Sequence, residues 1–420
     1  MAAERHLHIA WLGAGPRDRE TGGVPGVATD LLHGLARRGH RVQCIFAGEP
    51  HELPERLRGL DNLSFVWSGL GWRWSGWYTR TRIGAFVSGL LARGLASVRL
   101  RREVARRHRG DPFDVVYQFS SIETLSLPAS VRRSVPLVIH PETHAEGELR
   151  FLISERHLAL RSQPAYTLAA AIAVMWLRSV VQRVLIRRAS LLVCISAVFR
   201  DHLVRDFRFP VQNTVVVPNP VRLSRFEDVD LQRGPQRPPV ILVLGRVAVR
   251  KGVESVVAIA GRLYERGVDA EIRMIGRTSL WSNYTGLLED LPPNAAYLGP
   301  MPPDRIPGEL YRSDVLLQPS RYEPFGLTVS EALAAGVPVV ATSEVGASEG
   351  VSPEVCAVLA PGDVEGMAGA IEGMLAALES DPGRIRGRAR GEAERLFAES
   401  LVCERIERAL LELLRRSGRR

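Results

Sequence analysis

The sequence predicts an α/β fold in which two doubly wound parallel sheets face each other across a cleft. Strand-like and helix-like runs alternate along the chain, which is typical of parallel sheets with crossover helices. A polar, proline-rich stretch at residues 232–239 interrupts this alternation, which then resumes. The length of 420 residues suffices for two domains of ordinary size.

The first half has strand-like and helix-like runs in the order that such a sheet requires. Leu31, Leu32 and Leu35 share one face of the first helix, and Gly39 ends it before the next strand. We therefore expect residues 1–228 to form an N-terminal Rossmann-like domain. Its predicted strands are 8–12, 41–46, 113–118, 136–140 and 191–196, and its predicted helices lie within 22–38, 83–109 and 165–188.

The second half repeats the pattern after a linker predicted at residues 229–239. We expect residues 240–390 to form a second Rossmann-like domain, and residues 391–420 to form a helix that packs back on the first domain. Open parallel sheets bind ligands beyond the carboxyl ends of their strands, so the chemistry is expected in those loops. Strands are predicted at 240–244, 270–275, 315–318 and 338–342, and helices at 252–266 and 328–335.

The composition limits the class of protein. The formal net charge is +9, from 55 basic and 46 acidic residues, and nearly all the basic residues are arginine. Guanidinium groups suit phosphate-bearing partners, although a GC-rich genome gives the same bias. Basic and aromatic residues form no recognisable nucleic-acid motif, so no nucleic-acid partner is expected. The four cysteines lack metal-ligand spacing and fit a reducing compartment.

The apolar segments of the sequence give no sign of membrane insertion. The apolar run that begins at Leu7 is too short for a signal peptide. The most apolar stretch, residues 165–177, is shorter than the roughly 20 residues of a membrane span. The sequence therefore predicts a cytoplasmic protein with no transmembrane helix.

The strongest chemical signal is a pair of glutamates in the second half. Glu323 follows a predicted strand, and Glu331 lies eight residues later, in the first turn of the next helix. Between them, Phe325, Gly326 and Leu327 supply backbone N–H groups at the start of that helix, where anions bind. The carboxylates could accept hydrogen bonds from the hydroxyls of a sugar and a ribose. As a lone pair they would be ordinary helix-start acids.

Two neighbouring loops favour the functional interpretation. Arg246 and Lys251 flank another strand-to-helix loop, where two cations could neutralise a diphosphate. A further glycine loop follows the strand at 338–342 and contains Gly346 and Glu349. Each signal is weak alone, but together and in this order they are strong.

At these residues the second half resembles the retaining glycosyltransferases of family 4, which have the two-domain GT-B architecture. The matching features are the glutamate pair of Glu323 and Glu331, the basic pair of Arg246 and Lys251, Pro319-Ser320, the run from Gly336 to Thr342, and Pro361-Gly362-Asp363. The resemblance is tight over residues 215–390 and looser before them. It implies that residues 240–390 bind a nucleotide-sugar donor, with Glu323 holding the sugar and Glu331 the ribose. It also implies that residues 1–228 receive the acceptor.

Two features of the first half also resemble that family. Gly22 and Gly23 match its glycine pair after the first strand, where the backbone can approach a phosphate or an acceptor closely. Alone they would be a plain tight turn. His140 ends a predicted strand at a position where the family often has a functional histidine, and His144 in the same loop is a rival for that role.

Two segments depart from the family pattern. Asn219-Pro220-Val221-Arg222 stands where the family usually has Asn-Gly-Val-Asp. Gly276-Arg277-Thr278 stands where it usually has Gly-x-Gly. These differences concern contacts around the nucleotide and leave the identity of the donor open.

The expected reaction is retaining transfer of a sugar from a nucleotide-diphosphate sugar to a hydroxyl of a glycan, a lipid-linked glycan or a natural product. No Asp-x-Asp stands at a strand end, so Arg246 and Lys251 are expected to replace a metal ion. No cofactor is expected, and no glycine-framed lysine of the kind that holds pyridoxal phosphate is found. The alternatives are a nucleotide-sugar-binding protein without turnover and a GT-B sugar phosphorylase.

Residues 67–109 raise the separate question of contact with a membrane. Four of the seven tryptophans, Trp67, Trp72, Trp74 and Trp77, precede a helix-like stretch rich in arginine. This composition fits a helix that contacts the inner face of a membrane or an apolar acceptor. It fits equally a core helix with a solvated basic face.

Overall fold

A computed structural model describes residues 5–13, 15–16, 23–46, 50–67, 82–119, 127–160, 164–278, 285–289 and 291–418. Within these ranges the chain forms a seven-stranded and a six-stranded sheet, and all strand pairs in both are parallel. Helices alternate with the strands. The predicted fold class, with two doubly wound sheets, is confirmed.

The N-terminal domain is built on the seven-stranded sheet. Its strands are β1 (His8–Gly13), β2 (Arg41–Phe46), β3 (Leu63–Trp67), β4 (Val115–Phe119), β5 (Leu137–His140), β6 (Leu191–Cys194) and β7 (Thr214–Val216). Their order across the sheet is β3-β2-β1-β4-β5-β6-β7. Successive strands are therefore added in one direction from β1 to β3 and in the opposite direction from β4 onward. This reversal of the strand order leaves a crevice at the carboxyl ends of β1 and β4.

The helices of this domain cover both faces of its sheet. They are α1 (Val24–Arg37), α2 (Arg82–Gly110), α3 (Ala129–Ser134), α4 (Ala145–Ser154), α5 (Arg156–Leu160), α6 (Ala165–Ile186) and α7 (Ala197–Phe207). The start of α7 is fixed by Ser196, whose hydroxyl accepts a hydrogen bond from the N–H of Phe199 at 3.1 Å. Its end is fixed by Arg208, which adopts a left-handed conformation with φ of 52°.

The C-terminal domain repeats the same plan with six strands. They are β8 (Val240–Leu244), β9 (Glu271–Ile275), β10 (Ala295–Gly299), β11 (Val315–Gln318), β12 (Val339–Thr342) and β13 (Cys356–Leu359), in the order β10-β9-β8-β11-β12-β13. The helices are α8 (Val253–Glu265), α9 (Thr285–Glu289), α10 (Ile306–Tyr311), α11 (Leu327–Ala334), α12 (Val364–Ser380), α13 (Pro382–Phe397) and α14 (Glu399–Arg416). The reversal lies between β8 and β11. Their residues are almost entirely buried, as helices on both faces of a parallel sheet require.

The last helix, α14, packs against α1 of the N-terminal domain. The approach is close, because a Cβ atom at Gly34 would lie 2.3 Å from Sγ of Cys403. Arg38 and Glu407 form an ion pair across the same interface. The chain thus crosses between the domains twice.

The two crossings lie side by side. The N–H of Val221, on the first crossing, donates to the carbonyl of Phe397, on the second, at 2.8 Å. Val221 also forms an isolated parallel bridge with Ala398.

Helix α6 corrects one expectation. It is 22 residues long, because the apolar pattern continues beyond Leu177 past Arg178. Among the helices described, it is the one long and apolar enough to cross a membrane by length and composition, and 28% of its apolar window is buried. The expectation that this stretch is too short for a span was therefore wrong.

The segment at residues 67–109 is described only in part. Residues 68–81, with Trp72, Trp74 and Trp77, lie outside the described ranges. Trp67 ends β3 and packs against Phe46, with the two ring centroids 5.2 Å apart.

Candidate active site

The loop after β11 carries Glu323 and is held against the loop after β8. The N–H groups of Arg321 and Tyr322 donate to the carbonyl of Arg250 at 2.9 and 3.2 Å. Gly252, with φ of 76°, allows this approach, because a Cβ atom there would lie 2.0 Å from the carbonyl oxygen of Pro319. The backbone thereby brings Glu323 beside the basic loop.

The Glu323 carboxylate forms an ion pair with Lys251. A second cation, Arg250, has its NH1 atom 3.7 Å from Oε2 of Glu323. Burial lowers the pKa of Lys251 well below its ordinary value, and the charges of Arg250 and Arg246 lower it further. Lys251, which was predicted to hold a diphosphate, is therefore paired with Glu323, which was predicted to hold a sugar.

The N-terminus of α11 lies directly after Glu323. Gly326 precedes the helix with φ of 94°, and Leu327 is its first residue. Phe325 anchors the turn, because its buried ring meets that of Phe397 edge-on and its carbonyl accepts a hydrogen bond from Ala347 at 2.7 Å. The first N–H groups of a helix have no partner within it, so this turn offers donors for an anion.

Arg246 lines a cavity of ≈ 360 Å³, open solvent included, at the carboxyl ends of β8, β9 and β11. The cavity walls include Lys251, Ile275 and Gln318. The loops after β8 and β9 touch, since a Cβ atom at Gly276 would lie 1.8 Å from the carbonyl oxygen of Gly245. This cavity occupies the point where the sheet reverses, which is the usual ligand site of such sheets.

Glu331 is the fifth residue of α11, so the prediction that it lies in the first turn was wrong. It lines a second cavity, of ≈ 490 Å³ with open solvent included, between the two domains. The N-terminal domain contributes Gly23 and Asp30 to its walls, and the crossing segment contributes Arg222 and Arg225. NH1 of Arg225 lies 3.3 Å from Oε1 of Glu331. Burial raises the pKa of Glu331, and Arg225 opposes that rise.

Asp30 and Arg222 make a second ion pair in this cavity. NH2 of Arg222 lies 2.8 Å from Oδ1 of Asp30, and Arg56 approaches the same oxygen at 2.6 Å. Arg222 is the residue that departs from the family pattern. The acid on α1 thus compensates the charge that this departure introduces.

His140 is fully buried at the carboxyl end of β5. Its Nδ1 lies 2.6 Å from the hydroxyl of Tyr117, and its Nε2 lies 3.5 Å from Oε1 of Glu142. Burial lowers the pKa of His140 to about 3 and raises that of Glu142 to about 7. Glu142 also accepts a hydrogen bond from the side chain of Asn219 at 2.7 Å, which links this pair to the crossing segment.

His144, the alternative candidate for the functional histidine, contacts the C-terminal domain. Its Nδ1 lies 2.8 Å from the hydroxyl of Tyr322, the neighbour of Glu323. Its Nε2 lies 3.2 Å from Oδ2 of Asp206. Burial lowers the pKa of His144 to about 3. Of the two histidines, His144 contacts the Glu323 loop, while the partners of His140 described above belong to its own domain and the crossing segment.

The glycine loop after β12 docks onto the N-terminus of α7. Glu349 accepts hydrogen bonds from the N–H groups of Ala197 and Val198, both at 2.7 Å. Gly346 is required there, because a Cβ atom would lie 2.4 Å from both the Pro324 carbonyl oxygen and the Ser196 side chain. This loop therefore joins the domains beside the site.

The structure brings together most of the predicted residues of the second half. Glu323, Lys251 and the turn of Phe325 to Leu327 adjoin one another, whereas Gly23 and Glu331 line the separate interdomain cavity. Gly22 lies outside the described residues. Within the described ranges, no group of three or more His, Cys, Asp or Glu residues is arranged to hold a metal ion. Sequence reasoning missed Tyr322, Arg225, Asp30 and Glu142.

Two family descriptions match the chain. Residues 21–225 match Glycosyltransferase Family 4, and residues 238–377 match Glycosyl transferases group 1. The glycogen synthase of Mycobacterium tuberculosis is 28% identical over 218 residues, which is 51% of each chain. The chain thus spans about half the length of this curated relative.

Solved structures resemble the whole chain. The catalytic domain of starch synthase IV from Arabidopsis thaliana, bound to ADP and acarbose, has a TM-score of 0.70 at 13% identity and covers 98% of this chain and 100% of its own. The Anabaena protein Alr3699/HepE in complex with UDP-glucose has a TM-score of 0.62 at 17% identity, covering 97% and 100%. These likenesses confirm the two-domain architecture.

Proposed function

The chain belongs to the family 4 glycosyltransferases and has their GT-B fold, and from that premise we propose that it transfers a sugar from a nucleoside-diphosphate donor to a hydroxyl acceptor. We further propose that transfer retains the anomeric configuration and needs no metal ion. One observation carries the proposal. The Glu323 carboxylate adjoins Lys251 and Arg250, in the turn that leads into the N-terminus of α11.

Substitution at the anomeric carbon expels a nucleoside diphosphate, which gains negative charge as the bond breaks. Arg246, Lys251 and the first N–H groups of α11 would stabilise that charge, and preorganised donors of this kind lower the barrier by roughly 3 kcal/mol each. A bound diphosphate would replace Glu323 as the partner of Lys251. Glu323 would then be free to accept hydrogen bonds from the hydroxyls of the donor sugar.

The nucleotide would extend from the diphosphate toward the glutamate of α11. Glu331 would accept a hydrogen bond from the ribose, which requires Arg225 to give up its present partner. Arg225 carries a charge that can pair with a donor phosphate instead. Donor binding would thus change the ionic partners of both glutamates: Glu323 would lose Lys251, and Glu331 would lose Arg225.

Retention would follow from attack of the acceptor on the same face of the sugar from which the diphosphate leaves. The departing phosphate oxygen takes the proton of the acceptor hydroxyl, so no enzymic nucleophile is assigned. His140 is the candidate catalytic residue on the acceptor side, on the strength of its position after β5. Because burial keeps its ring neutral, it would act through hydrogen bonding rather than through charge.

The acceptor would enter from the N-terminal domain. We propose a hydroxyl on a glycan, a lipid-linked glycan or a small natural product, and a cytoplasmic location, with contact at the inner membrane face where the acceptor is lipid-linked.

Incubation with a panel of nucleotide sugars, followed by measurement of released nucleoside diphosphate, tests the proposal. Slow release that excess EDTA leaves unchanged is expected, as is a product whose anomeric proton shows the configuration of the donor. Tight binding without release for every donor and acceptor would indicate a binding protein. Formation of sugar 1-phosphate from glycan and inorganic phosphate would indicate a phosphorylase.

A further inference from the structure

The outer surface of α6 is the largest concentration of exposed apolar side chains that the structure describes. Thirteen large hydrophobic residues are exposed among the described residues, and six of them lie within positions 153–184. They are Ile153, Leu160, Tyr166, Trp176, Leu177 and Val184. Scattered exposed apolar residues are ordinary, but a contiguous group marks a surface that meets a partner.

The exposed residues of α6 follow the period of a helix. Tyr166, Ala169, Ala173, Trp176 and Val184 are exposed and are separated by three, four, three and eight positions. These steps put them on one face. Tyr166 is 67% exposed and Trp176 is 59% exposed, although both are among the largest side chains. The helix therefore presents a continuous apolar face outward.

The opposite face ties α6 to the N-terminal domain. Leu168 and Ala171 pack with Leu152 of α4. The side-chain amide of Gln182 donates to the carbonyl of Thr143 at 2.6 Å, and its oxygen accepts from the N–H of Ala145 at 2.8 Å. Leaving the domain to cross a bilayer would break these contacts. The arrangement suits a helix that lies on a surface.

The charged side chains of this segment are mostly positive. Residues 156–188 contain six arginines and no aspartate or glutamate. One of the six, Arg183, lies 3.6 Å from Glu146 of α4, which leaves a surplus of positive charge in the segment. In the arginine-rich helix α14, Arg408 and Arg416 have glutamates one turn earlier, Glu404 and Glu412, as partners. A surface that combines an apolar face with unbalanced positive charge complements a partner that is apolar inside and negative at its boundary.

We propose that the outer face of α6 is a docking site for an anionic lipid bilayer, with the helix lying in the plane of the interface. Tyr166 and Trp176 would sit at the level of the headgroups, where amphipathic aromatic rings are favoured. Arg187 and Arg188, which are exposed at the C-terminal end of the helix, would contact the lipid phosphates. This inference concerns a surface remote in sequence from Glu323 and Lys251, and it does not depend on the proposed reaction.

Flotation of the full-length protein with phospholipid vesicles tests the proposal. Binding is expected to vesicles with about 30 mol% phosphatidylglycerol in roughly 50 mM salt, and is expected to weaken at least about tenfold on pure phosphatidylcholine or in roughly 500 mM salt. The Trp176→Ser, Val184→Ser double variant should lower the ratio of bound to free protein at least about tenfold. Tyr264→Ser is the matched control, because Tyr264 is 56% exposed on α8 of the other domain.

Three results would overturn the proposal. The protein could fail to float with anionic vesicles at low salt, or the double variant could float as well as the parent. The parent could also form a dimer that the double variant abolishes while neither binds vesicles, which would show that a second copy covers this face. Circular dichroism establishes that each variant is folded. Tyr166→Ser, in the first turn of the helix, replaces the double variant where the latter does not fold.

Discussion

The hydroxyl of Tyr322 lies 2.8 Å from Nδ1 of His144, and this hydrogen bond joins the Glu323 loop to the loop that follows β5. Both groups are buried. The bond therefore links the C-terminal domain to the N-terminal domain without passing through solvent.

Tyr322→Phe should favour separation of the domains. The change leaves a buried ring nitrogen without its partner, which costs about 1–3 kcal/mol. Small-angle X-ray scattering should show a larger radius of gyration for the variant than for the parent. Tyr297→Phe is the control, because that hydroxyl bonds Gly276 within one domain. Equal radii for Tyr322→Phe and the parent would contradict the prediction.

Glu323→Gln should abolish transfer while the protein remains folded. The amide keeps the shape of the side chain but replaces one carboxylate oxygen, an acceptor for the hydroxyls of the donor sugar, with an NH2 group and removes the negative charge. The value of kcat should therefore fall about 10²–10³-fold. The control is Glu254→Gln, because Glu254 also pairs with an arginine, Arg321, at 2.8 Å near the same loop. Steady-state release of nucleoside diphosphate is the measurement, and a near-normal kcat for Glu323→Gln would refute the role.

Arg246→Ala and Lys251→Ala should each weaken binding of free nucleoside diphosphate. Removing one charged contact to a phosphate costs on the order of 2–5 kcal/mol. Isothermal titration calorimetry gives the dissociation constants. Arg262→Ala is the control, because Arg262 pairs with Glu265 at the far end of α8. Unchanged constants in both variants would put the diphosphate elsewhere.

Glu331→Ala should remove discrimination between a ribonucleotide and its 2′,3′-dideoxy analogue. The parent is expected to bind the ribonucleotide more tightly by about 1.5–3 kcal/mol, the value of a hydrogen bond to a charged group. In the variant the two ligands should bind alike. A difference that persists in the variant would show that another residue contacts the ribose.

Glu142 should make the stability of the protein depend on pH. Burial raises the pKa of Glu142 from its ordinary 4.5 to about 7. The folded state therefore keeps the carboxyl proton at pH values at which the unfolded state has already released it. This stabilisation is complete below pH 4.5 and is lost as the pH rises through 7, a change of about 3 kcal/mol.

The measurement compares the parent with Glu142→Gln in chemical denaturation at pH 4.5 and pH 8. The free energy of unfolding of the parent should fall with rising pH relative to that of the variant. His140 is present in both proteins, so its opposite dependence, with stability lost as the pH falls from 6.5 toward about 3, cancels in the comparison. Parallel curves would show that Glu142 titrates normally.

The sequence predicted the central strands well and missed the outer ones. The runs at 240–244 and 315–318 coincide with β8 and β11, because central strands of a parallel sheet are apolar on both faces. The four strands that were not predicted, β3, β7, β10 and β13, form the edges of the two sheets. They are mostly half-buried, so their residues give no continuous apolar signal.

The candidate site was predictable as a set of loops but not as a set of contacts. Strand ends and glycines located Glu323, Lys251 and the start of α11. The pairing of Arg225 with Glu331 joins residues 106 positions apart, and that of His144 with Tyr322 joins residues 178 positions apart. Both depend on how the two domains are oriented, which no local pattern in the chain encodes.

The adjacent crossings at Val221 and Ala398 restrict how the domains can move. Two chain segments fixed to each other leave one easy degree of freedom, a rotation about the line that passes through both. Sliding or twisting of one domain on the other would stretch one segment against its neighbour. The domains would then open for ligand entry by rotation about a single axis. A crosslink between the domains placed far from that axis would block this rotation, whereas one placed beside it would not.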